Sequence, residues 1–170
     1  MHRLLIILLS LSFNLSAANP PLESFDRMDA VFPDIEFVNP AGEESRLSDY
    51  KGKVLLVKLW ATWCGVCRAK WPGHQALYDN IKDEQEMQLI TLSVLEDPKV
   101  SQDWVKTQGF DVPLFENPIQ DRGAVPVADG SYFFIKGTPM IFLIDKAGIL
   151  RKKAVGANQS ITAADIRGLI

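Results

Sequence analysis

The chain has 170 residues, 47% hydrophobic and 23% charged, with 11 glycines and 10 prolines, a composition that suits one soluble globular domain. Eighteen Lys and Arg against 21 Asp and Glu leave a formal charge of −3, which argues against a partner recognised through a basic field, nucleic acid above all. Two cysteines are too few for a disulfide-stapled miniprotein or a four-thiolate metal site, but they stand three residues apart.

Residues 1–18 open with His2 and Arg3, run through an apolar stretch ending near Leu15, and close on Ser16-Ala17-Ala18. Small residues before a cut after Ala18 fit a secretory signal peptide. As an uncleaved anchor the run is diluted by Ser10, Ser12, Asn14 and Ser16, and it falls short of the ~20 apolar residues that span a bilayer. The expected organisation is a signal peptide over 1–18 and a single domain over 19–170. Export implies an oxidising compartment, where a lone cysteine pair tends towards the disulfide.

Along the mature chain, residues 34–38 read as a short strand and Asn39-Pro40-Ala41-Gly42 as a turn. Residues 54–60 form a nearly continuous apolar run, as in a central strand covered on both faces. Residues 64–82 read as a helix with Leu77 and Ile81 at i, i+4 and Pro72 inside it, and 87–95 as a second buried strand. The spacing predicts a helix over 98–108, closed by Gly109, with Val100 and Trp104 on one face. A short strand is predicted over 112–115, while Gly and Pro punctuate 117–131. Residues 140–145 make a third strong strand, Lys146-Ala147-Gly148 a turn into 149–155, and 162–170 a final helix with Asp165 in its first turn. A βαβ start followed by a hairpin and a helix is one compact α/β unit.

The chemistry lies in Trp60-Ala61-Thr62-Trp63-Cys64-Gly65-Val66-Cys67. A buried strand ends, the chain turns, and a helix opens with Cys64 near its first turn. Cys67, three residues on, shares its face. Free N–H groups and the partial positive charge of the helix start stabilise a thiolate at Cys64. Attack of one thiolate on a disulfide, with release by the second thiol, is the reaction such a pair supports. A purely structural bond is the plainer alternative, although closing so short a ring contributes little stability. A Cu(I) site on the two thiols is another, with His74 the only further soft ligand nearby.

Three features together resemble the TlpA/ResA-like branch of the thioredoxin superfamily. They are the W-x-x-W-C-x-x-C pattern of 60–67, Pro72 five residues after the second cysteine, and Gly137-Thr138-Pro139 before a hydrophobic strand. The resemblance covers about residues 32–157. It implies a thioredoxin fold: a central mixed β-sheet flanked by helices on both faces, with an N-terminal strand extension and an insertion before a cis-proline loop. Members of this branch are exported thiol–disulfide oxidoreductases serving cytochrome c maturation and related periplasmic reduction. By position, Cys64 is then the exposed nucleophile and Cys67 the resolving partner. Thr138–Pro139 is a cis peptide bond against the cysteines, where backbone pairs with a bound substrate strand. Trp63 is either a recognition surface or a cap over the disulfide. The resemblance implies no metal and no cofactor beyond the Cys64–Cys67 disulfide. It further implies a periplasmic monomer, a reductase whose partners are cysteine-containing exported proteins and a membrane thiol reductant. A Cu(I) metallochaperone and a disulfide oxidase are the rival readings. The stretch 117–131 becomes a candidate for partner specificity.

Some positions depart from the pattern. Lys58 stands where thioredoxin has a buried Asp, and Lys70 where related proteins often carry Glu. Ammonium groups near the sulfurs favour the thiolate, hence a more oxidising couple; these two lysines are the redox-tuning candidates. The plainer readings are that Lys58 snorkels outward and Lys70 is solvated. Gly65-Val66 differs from the Gly-Pro and Pro-Pro centres of relatives, and Met140 rather than Glu follows Pro139, which weighs against a cytochrome client. His74 reads as a surface histidine, Trp71 and Tyr78 as packing residues, and Arg151-Lys152-Lys153 as a solvated stretch of hairpin.

Overall fold

The computed structural model describes residues 27–119, 123–157 and 161–170. The signal-peptide reading of 1–18 lies outside them. In chain order the strands are β1 (Glu36–Val38), β2 (Glu44–Arg46), β3 (Val54–Trp60), β4 (Met87–Ser93), β5 (Leu114–Glu116), β6 (Ala124–Pro126), β7 (Tyr132–Phe134), β8 (Met140–Ile144) and β9 (Leu150–Val155). The helices are α1 (Gly65–Ile81), α2 (Pro98–Thr107) and α3 (Ala163–Arg167). Seven strands form one mixed sheet in the order β2-β1-β5-β4-β3-β8-β9, and β6 and β7 form a separate ribbon. β3 pairs parallel with β4 and antiparallel with β8, and every one of its residues is buried. This is the thioredoxin-type mixed sheet that the apolar runs and motifs point to, with β1 and β2 as the N-terminal extension.

Alternation along β3 splits the core in two. Val54, Leu56 and Trp60 face a cluster containing Trp71 and Ile81 of α1, Val105 of α2 and Ile166 of α3. Leu55, Val57 and Leu59 face the other way, onto Phe32, Ile35, Leu47, Val125, Val127 and Phe133. All three helices therefore pack on one face, a correction to the expectation of helices on both. The reason is topological. From β3 through α1 to β4, and through α2 to β5, the chain steps outward in the same direction each time, and right-handed crossovers keep both helices on the same side. The opposite face is covered by the 3-10 turn Leu47–Tyr50, the segment around Phe32 and Ile35, and the β6–β7 ribbon.

Local details follow from side-chain chemistry. Asn39 turns the chain between β1 and β2 by accepting the N–H groups of Ala41 and Glu43, with Gly42 at φ +83°. The buried face of α2 runs through Ser101 and Val105 with Trp104 beside them, so Val100 points to solvent, contrary to the predicted face. The last helix is shorter than 162–170. Thr162 caps it reciprocally with Asp165, and Gly168 ends it. Arg151 pairs with Asp29 and Asp145, and Lys152 with Asp165, so this basic stretch is tied to three neighbours rather than simply solvated. Such exposed pairs contribute little each.

Within 117–131, the described residues 117–119 and 123–131 contribute to the core rather than forming an appendage. Val125 and Val127 are buried, and the buried Asn117 amide donates to the carbonyls of Ile119 and Ala124 at 2.6 and 2.7 Å. Val125 and Val127 thus help close the face of the sheet opposite the helices. Asn117→Ala leaves two carbonyls without their donor. We expect a loss of roughly 1–3 kcal/mol in urea denaturation with an unchanged cysteine couple.

Candidate active site

β3 delivers Trp60 to the end of the sheet, and a four-residue turn brings Cys64 to the N-cap of α1. The turn is held from β4's far side. Glu96 accepts the backbone N–H of Thr62 at 3.0 Å and its hydroxyl at 2.5 Å, and half-burial pushes the Glu96 carboxyl upward from its usual range. Trp63 is 57% exposed, and its indole N–H donates to the carbonyl of Leu95 at 3.2 Å. It therefore leans beside the loop after β4 with most of its surface open. Leu95 itself sits at φ +60°, a conformation that costs a non-glycine residue roughly 1–2 kcal/mol. Neither Glu96 nor Leu95 is legible as a site residue, because each acts on the cysteine turn from more than 30 residues away in sequence.

Cys64 and Cys67 are joined in a disulfide with their Cα atoms 5.2 Å apart. Cys64 keeps 7% of its surface accessible and Cys67 none. The Cys67 backbone N–H donates to Cys64 Sγ at 3.1 Å, making that sulfur the cap of α1. On the other side, Cys64 Sγ lies 3.5 Å from the Thr138 carbonyl oxygen, and Thr138–Pro139 is cis. The two motifs separated by some 70 residues thus meet at one sulfur.

Beneath the cysteines the sequence reading needs two corrections. Lys58 does not snorkel out: it is 1% exposed, and its Nζ lies over the Trp71 ring, 4.5 Å from the centroid. The cause is register. Lys58 pairs with Thr91 of β4 and Ile141 of β8, so its side chain projects under α1 from the middle of the sheet with no edge within reach. Burial alone pulls its pKa down to about 7. His74 is not a surface residue either. It is buried, and its Nε2 is 3.1 Å from Thr91 Oγ1. Burial, and then the Lys58 charge, hold it well below the usual histidine range. Turned towards Thr91, His74 is engaged within the core. Lys70, by contrast, is exposed, where water screens its charge. Trp71 and Tyr78 pack as expected, Trp71 fully buried between Trp60 and Trp104. Among the described residues no group of three or more His, Cys, Asp and Glu gathers as a metal site.

The comparisons agree with this geometry. The model of the AhpC/TSA family matches residues 28–153. The thiol–disulfide oxidoreductase ResA of Geobacillus thermodenitrificans is 28% identical over 165 residues, spanning 96% of this chain and 88% of that one. The thiol:disulfide interchange protein DsbE of Escherichia coli is 32% identical over 108 residues, covering 62% of this chain and 51% of its own. In fold, a thioredoxin family thiol:disulfide interchange protein from Chlorobium tepidum superposes with a TM-score of 0.59 at 23% identity, over 85% of this chain and 95% of that one. The chain belongs to the AhpC/TSA family, as a ResA-like protein of thioredoxin fold. With its cysteine pair at disulfide distance it is a thiol–disulfide oxidoreductase.

A buried lysine leaves a signature in stability. Folded Lys58 gives up its proton near pH 7, whereas the unfolded side chain holds it to about 10.5, so stability rises with pH between those values. His74, held neutral when folded, adds a rise below about pH 6.5. Lys58→Met is expected to abolish the upper rise and to stabilise the protein at pH 6 by roughly 1–4 kcal/mol, read from urea midpoints across pH.

Proposed function

We propose that this protein is a periplasmic reductase of disulfides in other exported proteins, with Cys64 as nucleophile and Cys67 as resolving thiol. The observation that carries the reading is the Cys67 N–H on Cys64 Sγ at the start of α1. It favours the thiolate on the one cysteine that retains access to solvent. The Cys64 thiolate attacks a substrate disulfide, forming a mixed disulfide and expelling one substrate sulfur, which takes a proton. Cys67 then loses its proton and attacks Cys64 Sγ, closing the Cys64–Cys67 bond and releasing the second substrate sulfur. Two electrons pass to the substrate, and a membrane thiol reductant restores the pair. The disulfide is the only redox group this cycle requires.

Trp63 and the Thr138–Pro139 backbone are the surfaces that would receive the substrate chain. Extracytoplasmic location rests on the ResA and DsbE resemblance and on residues 1–18; among the described residues no helix is long and apolar enough to cross a membrane.

The buried Lys58 gives the oxidase direction a specific argument, because a cation near the sulfurs favours the reduced pair. The potential of the couple decides. A value at or below about −220 mV supports the reductase, and one near about −120 mV reverses the direction. In an insulin-reduction assay, Cys64→Ser is expected to abolish turnover. Cys67→Ser should instead accumulate a mixed disulfide at Cys64, visible by mass spectrometry under non-reducing conditions. Turnover surviving Cys64→Ser would overturn the assignment.

A further inference from the structure

An amine that is 1% exposed is costly to keep unless its charge is put to use. Among the described residues, Lys58 makes no ion pair with a carboxylate. From α1 it is faced by the Trp71 ring and by His74, which stays neutral and is bonded to Thr91. From β4 its cross-strand neighbour is Thr91 and from β8 Ile141, neither of which titrates, and behind Trp71 stands Trp104 of α2. The two cysteines lie in the same half of the core, in the cluster that holds Trp71, with Tyr78 half-buried at its margin. Trp71, on which the amine rests, follows Cys67 by one helical turn on the same face of α1. The rise between them is about 6 Å.

Resting on the oxidoreductase reading above, we propose that Lys58 is a redox-linked positioning residue. Its amine takes up a proton when the Cys64–Cys67 disulfide is reduced and gives it up when the disulfide re-forms. The balance closes. A dithiol reductant supplies two electrons and two protons; Cys64 emerges as the capped thiolate, Cys67 as the thiol with one proton, and Lys58 holds the other. On reduction of a substrate disulfide the electron pair leaves with the Cys64–Cys67 bond formation. The protons of Cys67 and Lys58 then pass, through solvent, to the two substrate thiolates. The low-dielectric layer of Trp60, Trp71 and Trp104 is what lets one unit of charge at the sulfur act on an amine a helical turn away. The half-ionised range of the amine in the oxidised protein, near pH 7, leaves room for that charge to decide its state.

Two measurements test this. The first is the equilibrium with dithiothreitol from pH 6 to 9 for the wild type and Lys58→Met, which counts protons taken up per disulfide reduced. Near pH 8 the wild type is expected to take up about two protons and the variant about one, a divergence of up to about tenfold in equilibrium constant per pH unit that shrinks towards pH 7, where the oxidised amine already holds about half a proton. Parallel curves overturn the proposal. The second needs no variant. Titration of the Lys58 side chain by carbon-13 NMR in the oxidised and the reduced wild type should show a higher midpoint in the reduced form, and coincident midpoints overturn it even if Lys58→Met does not fold. An inactive wild type in the insulin assay would remove the functional reading, while the two titrations would still decide the linkage.

Discussion

One backbone N–H organises the reactive end of this molecule. By donating to Cys64 Sγ, the Cys67 amide makes a sulfur do what Ser or Asp does at most helix starts, and so sets the positive end of α1 against that sulfur. Much of the surrounding structure serves to hold that contact. β3 fixes where the turn begins, Glu96 pins Thr62 within it, and Trp63 braces against Leu95. The cis-proline loop brings the Thr138 carbonyl to the opposite side of the same sulfur. These supports come from three separate strand ends, so the placement of the cysteines depends on β3, β4 and β8 together.

What the sequence made legible was whatever is written in local runs. The uninterrupted apolar stretches announced β3, β4 and β8, because strands buried on both faces have no polar side to interrupt them. The cysteine spacing and the Gly-Thr-Pro tripeptide announced the site because each is a chemical requirement with few substitutes. Directions in space were harder to read. His74 has the polarity of a surface residue, and only the position of Thr91 on the neighbouring strand shows why it turns inward. Val100 and Trp104 look like one apolar stripe until the packing of Ser101 and Val105 sets the face of α2.

Lys58 shows the limit most clearly. Alternation along β3 correctly put it on the face of Leu56 and Trp60, but whether a long side chain escapes to water depends on how far the sheet extends around it. With β4 on one side and β8 on the other, each itself flanked, no escape exists. The placement of 117–131 failed to show in sequence for a related reason. A stretch broken by Gly and Pro carries no period, yet its Val125 and Val127 close the face of the sheet that the helices leave bare.

The two outermost strands of the sheet have a bearing on how the molecule behaves at high concentration. β2 reads Glu-Ser-Arg, and β9 carries Arg151, Lys152 and Lys153 in succession. Unpaired strand edges invite other chains to add on, and charges along them discourage it. At β9 the segment 29–32 already covers the first part of the edge through Asp29, Ala30 and Leu150, and charges along the remainder, as along β2, make indiscriminate strand pairing and the aggregates it seeds unfavourable.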